Sequence, residues 1–498
     1  MDTIAFEHHL TSPQGHRRTP ADAVTVRVGG GACCDRIRFS VALERDSVAD
    51  AGFDAAGCGA ATAAGSAAVT LVRGTKLLDA ARIGSREITA ELGGLSPGKL
   101  HAADLAADAL HRAIGNAARQ HATLERTVDG RTLVAMSGGV DSAVAALLCA
   151  GSGETVGVTL ELWSDPDNDG ERSCCSASAV SQARALAHSI GLAHLTIDLR
   201  SEFRAGVVEP FIASYAAGET PNPCVGCNGH VRLDAMLALA ARLGCDRLAT
   251  GHYARVAEDS DADGPLLRAA VDRAKDQTYM LAALSPASLA RMHFPLGELT
   301  KAEVRRLAAD AGLPVADKAD SQDLCFLAGT DRPRFLARHG KLGERPGAVV
   351  ALDGTVLGRH LGQHRFTVGQ RKGIGVAGAV PLYVLDKDAT SNTVIVGPGQ
   401  ELQLSRVTLR GLRLHRSGDR VDRVKLRYRS RPLPAQLLGD PAAGRHDTGT
   451  LQLGEAVDGA APGQLACLLD GELVVGWATI SRESGRPRRV VLPTLRCR

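Results

Sequence analysis

The chain has 498 residues, enough for roughly three or four domains. Its apolar fraction of 44% argues against extensive disorder. Its aromatic fraction of 3% argues against a protein that binds single-stranded nucleic acid by broad aromatic stacking, and its net charge of +3 shows that the chain as a whole is not a polycation. Residues 1–20 lack the apolar run of a signal peptide, and residues 55–72 lack the large side chains of a membrane span. We therefore expect a cytoplasmic protein without a membrane partner, whose twelve cysteines stay reduced as structural thiols, metal ligands or catalysts.

Residues 1–122 are the first predicted domain. A β-like run at Ile37–Leu43 and an Ala-rich helix at Ala103–Ala118 predict an α+β fold. Cysteines occur in two short motifs and a histidine in a third: Ala32-Cys33-Cys34-Asp35, Gly57-Cys58-Gly59 and Lys99-Leu100-His101-Ala102. This spacing resembles that of NifU/IscU-type iron–sulfur scaffold domains.

The resemblance implies a metal site in this domain. In that family three Cys and an Asp hold a [2Fe–2S] cluster or zinc, and a His lies beside the third Cys. Cys33, Asp35, Cys58 and His101 fit this pattern and are the candidate ligands here. The family's third cysteine is replaced by Ala102, and Cys34 stands where the family has glycine. Two interpretations follow: the site still binds zinc or a cluster, or the domain is retained for docking a cysteine desulfurase.

Residues 128–330, the second predicted domain, alternate between strand-like and helix-like segments. Strands are predicted at Leu133–Met136, Thr155–Leu162, Ala193–Leu199 and Asp246–Thr250, and helices at Ser142–Cys149, Ala177–Ile190 and Val231–Leu243. A strand that is followed each time by a helix favours a parallel sheet. The predicted fold class is therefore α/β, with a doubly wound, Rossmann-like sheet at its centre.

The strongest short signal joins the first of these strands to its helix, and reads Ala135-Met136-Ser137-Gly138-Gly139-Val140-Asp141-Ser142. Small residues allow the backbone N–H groups to turn inward, and the helix N-terminus adds partial positive charge, so the loop can bind an anion. It lacks the Gly-Lys-Ser/Thr ending of a Walker A loop. Ser137–Ser142 resembles the PP-loop of ATP pyrophosphatases, which adenylate a carbonyl oxygen and release pyrophosphate.

Three cysteines accompany that loop. Cys224 and Cys227 lie in a Pro-containing segment before a predicted helix, whose N-terminus would lower the pKa of the Cys227 thiol, and Cys325 follows nearly a hundred residues later. The set resembles bacterial tRNA 2-thiouridylases, which place sulfur on C2 of the wobble uridine. The resemblance covers residues about 130–480 and includes further motifs at 249–253, 275–277, 368–373, 382–388, 427–428 and 462–464.

The resemblance implies a role for each matching position. Cys325 would carry a persulfide and Cys227 would be its nucleophilic partner thiol. The loop Ala135–Ser142 would hold the phosphates of ATP with Mg²⁺, and Leu160 and Gly251 would line the adenosine site. The target base would contact Asn222, Pro223 and Cys224, and the anticodon stem-loop of tRNA would contact His252, Lys275, Asp276, Gln277, Arg427, Tyr428 and Gln464. A cysteine desulfurase or sulfur-relay protein would supply the sulfur.

One position departs from the commonest pattern of that family, which has Asp where this chain has Cys224. Cys224, Cys227 and Cys325 therefore form a three-thiolate set, which related sulfur-transfer enzymes use to hold a [4Fe–4S] cluster. Two chemistries are open: a persulfide relayed through a Cys227–Cys325 disulfide, or sulfide bound to a cluster. For the whole chain, the alternative to a thiouridylase is an iron–sulfur cluster carrier whose PP-loop part only binds tRNA.

Residues 331–400 and 401–498 are predicted as two small β-rich domains, because short β-like runs alternate with Gly, Pro and Asp turns. The resemblance implies that the second of them, residues 401–498, is a tRNA-binding β-barrel. Residues 401–498 hold 17 Lys and Arg against 10 Asp and Glu, most densely at Arg406–Arg431. This basic run is either a solvated strand face or a surface that contacts phosphates.

Overall fold

The computed structural model describes residues 3–29, 34–165, 177–319, 324–327 and 329–482; Cys33 lies outside these ranges. The helices, in chain order, are α1 (Thr3–Thr11), α2 (Gly59–Val72), α3 (Leu77–Ala80), α4 (Ser85–Glu91), α5 (Leu100–His121), α6 (Val140–Ala150), α7 (Ala177–Ser189), α8 (Arg200–Phe203), α9 (Glu209–Ala216), α10 (Pro223–Gly226), α11 (Leu233–Arg242), α12 (Thr278–Leu281), α13 (Pro286–Leu289), α14 (Lys301–Asp310) and α15 (Arg332–Gly340).

The strands are β1 (Val24–Gly29), β2 (Arg36–Glu44), β3 (Ser47–Ala56), β4 (Arg131–Ala135), β5 (Glu154–Glu161), β6 (Ala193–Asp198), β7 (Arg247–Thr250), β8 (Arg255–Ala257), β9 (Leu266–Arg268), β10 (Met292–His293), β11 (Gly347–Val350), β12 (Val356–His360), β13 (Leu382–Asp388), β14 (Thr393–Pro398), β15 (Gln403–Leu414), β16 (Arg423–Lys425), β17 (Leu433–Leu437), β18 (Gly444–Asp458), β19 (Leu465–Asp470) and β20 (Leu473–Ile480). They belong to two compact units, one within residues 1–200, 234–252 and 291–328, and one within 201–233, 253–290 and 329–498.

The N-terminal part of the first unit is an antiparallel sheet in the order β1-β2-β3, with helices packed on it. Alternate residues of β2 and β3 point to one face, so Phe39 and Phe53 stand opposite each other and are fully buried. The Ala-rich helices α2 and α5 contact this sheet and bury most of their alanines. An α+β layer of this kind was predicted, and it is confirmed.

The rest of the first unit contains a parallel sheet in the order β10-β7-β4-β5-β6. Its central strands are apolar along their whole length, as expected for strands covered on both faces: β5 has seven buried residues in succession. The carboxyl ends of β4, β5 and β7 lie along one edge of the sheet, which is where ligands bind in folds of this type. The predicted Rossmann-like sheet is confirmed.

The second unit contains two β-sheets. A four-stranded sheet has the order β12-β11-β14-β13 and encloses a small apolar core that includes Val384 and Val396. The other is a closed barrel in the order β15-β18-β17-β16-β19-β20, closed because β15 pairs with both β18 and β20. The hairpin β8–β9, from residues 255–268, extends the barrel sheet at β20. The two predicted β-rich regions, the last a barrel, are thus confirmed.

Lys387 in β13 is a buried cation that makes stability depend on pH. It is 1% exposed, and its Nζ donates to the carbonyl oxygen of Phe366 at 2.8 Å. Burial, and then the nearby Arg332 and Arg482, lower the pKa of Lys387 to about 7. The lysine of the unfolded chain keeps a pKa of about 10.4. Between these pH values the unfolded state binds more protons than the folded state, so the free energy of unfolding rises from about pH 7 to about pH 10. Below pH 7 Lys387 is charged in both states, and its burial destabilises the folded protein by the full amount.

We therefore expect Lys387→Met to remove this rise. The measurement is urea unfolding of both proteins at pH 6.5 and pH 9, with the exposed Lys372→Met as the control that behaves as wild type. A variant whose free energy of unfolding differs from wild type by the same amount at both pH values would contradict the expectation.

Within the residues that the structure covers, no helix is long and apolar enough to span a membrane.

Candidate functional site

The phosphate loop connects β4 to α6, as predicted. Ser142, in the first turn of α6, anchors it: its Oγ accepts from the Ser137 N–H at 3.1 Å and donates to the Gly139 carbonyl at 3.0 Å. Gly138 has a φ of +70°, a left-handed conformation that glycine adopts without a steric penalty. Ala135, Met136 and Val140 are buried beneath the turn. The loop is thus preformed at the N-terminus of an eleven-residue helix, where an anion is stabilised.

Gly251, after the end of β7, lies against the same turn. A Cβ at this position would approach the Asp141 carbonyl carbon and the Ser142 nitrogen to 2.7 Å, so the contact requires glycine. Leu160, near the carboxyl end of β5, is 8% exposed. His252 follows Gly251, and its Nδ1 lies 2.8 Å from Thr250 Oγ1.

Two lysines that no sequence motif indicated reach the phosphate loop. Lys301, the first residue of α14, places Nζ at 2.7 Å and 2.8 Å from the two carboxylate oxygens of Asp141. Lys318 donates to the Gly138 carbonyl at 2.9 Å and to Gln182 Oε1 at 3.2 Å. The loop therefore combines the N-terminus of a helix with two ammonium groups, a set suited to a polyphosphate.

Cys325 lies in the first unit and opens a short 3-10 turn, Cys325–Leu327, in which Phe326 is buried. Its own side chain is half-buried. The residues before it in the predicted motif, Ser321–Asp323, lie outside the described residues.

Cys224 and Cys227 lie in the second unit, on a helix that begins earlier than the sequence analysis predicted. The helix starts at Pro223 and not at Val231, because Asn222 caps it: Asn222 Oδ1 accepts from the Cys224 N–H at 3.1 Å, and Pro223 occupies the first turn. Cys224 is consequently in the first helical turn and half-buried, whereas Cys227 is one turn later and 8% exposed. The expectation that Cys227 lies at the helix N-terminus is corrected, since that position belongs to Cys224.

A π-helical segment, Cys227–Arg232, follows directly. Such wide turns are frequent at functional sites, because they shift the side chains that follow. Asn228 in this segment is 7% exposed and donates from Nδ2 to the Met280 carbonyl at 3.1 Å. This bond connects the cysteine helix, which consists of α10 and the π-helical segment that follows it, to α12.

Several residues predicted to touch tRNA make hydrogen bonds within the second unit. Gln464 Nε2 donates to the Thr220 carbonyl at 2.6 Å, and Gln277 Oε1 accepts from the Tyr253 N–H at 3.0 Å. Asp276 accepts from the Ala270 N–H at 3.0 Å and from the Thr278 hydroxyl at 2.8 Å. These contacts hold the segments on either side of the cysteine helix in place.

Of the remaining predicted contacts, Arg427 is exposed, and Lys275 and Tyr428 are half-buried. Arg427 donates to the Gly459 carbonyl at 3.3 Å. Burial raises the pKa of the Tyr428 hydroxyl; the charges of Asp276 and Cys224 raise it further, and those of Arg429 and Lys275 oppose them.

The basic run Arg406–Arg431 is largely paired with carboxylates of the same unit. Arg410 forms a bidentate pair with Glu219, at 2.5 Å and 2.7 Å, and the 7%-exposed Arg416 pairs with Asp259 and Asp470. These pairs neutralise part of the charge that the sequence places here.

The N-terminal site gathers three of its four predicted ligands. Asp35 is 3% exposed, and its Oδ1 accepts from the Cys58 N–H at 2.9 Å. Its Oδ2 accepts from Cys58 Sγ at 3.0 Å and lies 3.1 Å from His101 Nε2. The Cys58 thiol and amide lower the pKa of Asp35, and His101 adds to this. One donor atom from each of the three residues lies within 4.8 Å of the others, and thiolate, carboxylate and imidazole are ligands that zinc and iron accept.

Three family models match consecutive parts of the chain. They are described as the NifU-like N terminal domain, residues 6–123; the tRNA methyl transferase HUP domain, residues 130–329; and the tRNA methyl transferase PRC-barrel domain, residues 334–398.

Curated relatives cover nearly all of the chain. A bifunctional protein NifU/MnmA from Rubrobacter xylanophilus is 42% identical over 95% of this chain and 97% of its own length. Relatives named tRNA-specific 2-thiouridylase MnmA match without the N-terminal part: one from Nocardioides sp. is 45% identical over 70% of this chain and 98% of its own length, and one from Xanthobacter autotrophicus is 42% identical over 71% and 93%.

Proposed function

The chain belongs to the family of bifunctional NifU/MnmA proteins, and from this premise we propose that it is a tRNA-uridine 2-sulfurtransferase that uses ATP to replace the C2 oxygen of the wobble uridine by sulfur. The observation that carries the proposal is the preformed phosphate loop, with Ser142 anchoring the turn and two lysines beside it. A cluster carrier that only binds tRNA would have no use for that loop, and relatives that match over the same residues are named as 2-thiouridylases.

ATP activates the uridine, because the oxygen on C2 is an amide-like carbonyl oxygen and a poor leaving group. The uridine oxygen attacks the α-phosphorus of ATP, and pyrophosphate leaves. The N-terminus of α6 stabilises the phosphates, while Lys301 and Lys318 supply positive charge. Mg²⁺ bound with ATP would neutralise part of the charge on the phosphates.

Sulfur then replaces the adenylated oxygen. The outer sulfur of a Cys325 persulfide attacks C2, and AMP leaves with the oxygen. The Cys227 thiolate next attacks the inner sulfur, which is Cys325 Sγ, so a Cys227–Cys325 disulfide forms and the outer sulfur stays on C2 as the thiocarbonyl. Two external thiols, or one dithiol, reduce the disulfide before the next turnover and are themselves oxidised to a disulfide. Cys227 is 8% exposed, which would shield the thiolate from competing oxidants.

A three-thiolate cluster site is the second possibility for the sulfur source. Cys224 and Cys227 are one helical turn apart on the same helix, and with Cys325 they would hold a [4Fe–4S] cluster whose open iron binds sulfide.

The substrate is tRNA, and the recognised part is the anticodon stem-loop, since the wobble base must reach Asn222, Pro223 and Cys224. His252, Lys275, Arg427 and Tyr428 are the polar side chains that would contact it, with Asp276, Gln277 and Gln464 holding the segments around them. We place the protein in the cytoplasm with its tRNA, and a cysteine desulfurase or sulfur-relay protein as its sulfur donor.

We propose that the N-terminal site binds zinc or a [2Fe–2S] cluster through Asp35, Cys58 and His101, with Cys33 as the fourth ligand. We expect Cys58→Ala and His101→Ala to lose most of this metal, measured by elemental and sulfide analysis of the full chain purified without oxygen. Cys245→Ala, deep in the first unit, is the control and should retain it. Equal metal contents in wild type and both site variants would instead favour a domain kept for docking.

The proposed function is tested with the full chain, ATP, Mg²⁺, unmodified tRNA and a persulfide donor. We expect 2-thiouridine at the wobble position, detected by mass spectrometry of the digested tRNA, together with AMP and pyrophosphate. Product without ATP, or none with every component present, would overturn the proposal.

A further inference from the structure

The N-terminal domain covers an edge of the parallel sheet within the first unit. Strand β6 ends the described sheet, and the bare edge of a strand is open to unwanted pairing. Helix α5 runs along it so closely that a Cβ on Gly115 would come within 2.0 Å of the Thr196 carbonyl oxygen. Asn116 Oδ1 accepts from the Asp198 N–H at 3.1 Å, so α5 also satisfies backbone groups of the strand.

A chain of four charged side chains crosses this junction, and the two at its ends are buried. Arg112 of α5 pairs with Glu161 at the end of β5. Its Nε also donates to a carboxylate oxygen of Asp108, one turn earlier on α5, at 2.8 Å. The other Asp108 oxygen accepts from Arg184 of α7 at 3.1 Å. Glu161 and Arg184 are 7% and 8% exposed in their side chains, so each would be a buried charge without a partner if the chain were broken.

Both ends of this charge chain adjoin the nucleotide site. Glu161 directly follows Leu160 in β5. Arg184 lies on α7, and that helix packs on the phosphate loop: a Cβ on Gly138 would lie 3.2 Å from the Ala179 carbonyl oxygen, and Gln182 holds the lysine that bonds to Gly138. The N-terminal domain therefore fixes the strand end and the helix that flank the loop.

We propose that Arg112 and Asp108 of the N-terminal domain are positioning residues for the ATP site, independently of any metal that the domain binds. The inference rests on the proposed function, because it assumes that ATP occupies the loop. It gives the fused domain a second task, which is to hold β5 and α7 in the arrangement that binds the nucleotide.

The test is Arg112→Gln in the full chain, which leaves Glu161 without its cation. We expect the KM for ATP to rise about tenfold while kcat changes less than about twofold, since the variant weakens ATP binding and leaves the reacting groups in place. Arg112→Gln/Glu161→Gln removes the unpaired carboxylate and should restore most of the ATP affinity. The matched control is Arg73→Gln, which breaks a pair with Asp50 inside the N-terminal domain and should leave the KM unchanged.

The outcomes separate the two claims. A wild-type chain that neither binds ATP nor thiolates tRNA counts against the proposed function. An active wild type with the same KM for ATP in Arg112→Gln overturns the positioning role alone, as does an equal rise in Arg73→Gln. Should thermal unfolding show that Arg112→Gln does not fold, the shape-conserving Asp108→Asn carries the same expectation, and a wild-type KM there overturns it.

Discussion

Replacing Cys325 or Cys227 by serine is expected to lower the rate of 2-thiouridine formation by at least about 1,000-fold, because a hydroxyl can neither carry a persulfide nor attack its inner sulfur. The phosphate loop is untouched in both variants, so ATP binding should remain within about twofold of wild type. The rate is measured as sulfur incorporated into tRNA, and ATP binding by equilibrium dialysis.

Cys245→Ala is the control for the loss of a cysteine as such. Burial raises the pKa of the Cys245 thiol to about 12, so it stays protonated at neutral pH and cannot act as a nucleophile. The control should thiolate tRNA at the wild-type rate. Substantial thiolation by Cys325→Ser would contradict the assignment of the persulfide to this residue.

Cys224→Ser distinguishes the two sulfur sources. A persulfide relay needs only Cys227 and Cys325, so the variant should retain activity, whereas a cluster held by three thiolates should lose its iron and its activity together. Iron content and thiolation, measured on one anaerobic preparation, decide between them.

Sites whose residues are contiguous in the sequence were the easiest to predict. The phosphate loop could be predicted in full, since the strand, the small residues of the turn and the helix are contiguous. Lys301 and Lys318 could not, because they lie 160 and 180 positions from the loop residues that they contact, and only the fold brings them there. The capping box of Thr300 and Glu303 marks the start of α14, but nothing in it indicates that Lys301 turns to Asp141.

Local signals were also missed. Asn222 followed by Pro223 is a helix start that could have been recognised, and it would have placed Cys224 in the first turn. The strands of the hairpin β8–β9 have three residues each, too few for a periodic pattern. The partners of the basic run, among them Glu219 and Asp259, lie far away in the sequence, so the charge count overstated the positive charge left for tRNA.

The contact of Lys301 with Asp141 gives the second large effect. With Lys301→Met, the Asp141 carboxylate faces the incoming triphosphate without a neighbouring cation, and the transition state loses an ammonium group that offsets charge on the phosphates. We expect ATP affinity to fall about tenfold and the adenylation rate about 100-fold or more, the latter measured as tRNA-dependent exchange of labelled pyrophosphate into ATP.

A double variant separates these two contributions. Lys301→Met/Asp141→Asn removes the repelling carboxylate, so ATP should bind nearly as in wild type, yet adenylation should stay slow because the ammonium group of Lys301 is still missing. Arg306→Met, an exposed cation on the same helix, is the matched control and should leave both quantities unchanged. If Lys301→Met bound ATP and exchanged pyrophosphate as well as this control does, Lys301 would only anchor α14 to the loop and would have no part in binding the nucleotide.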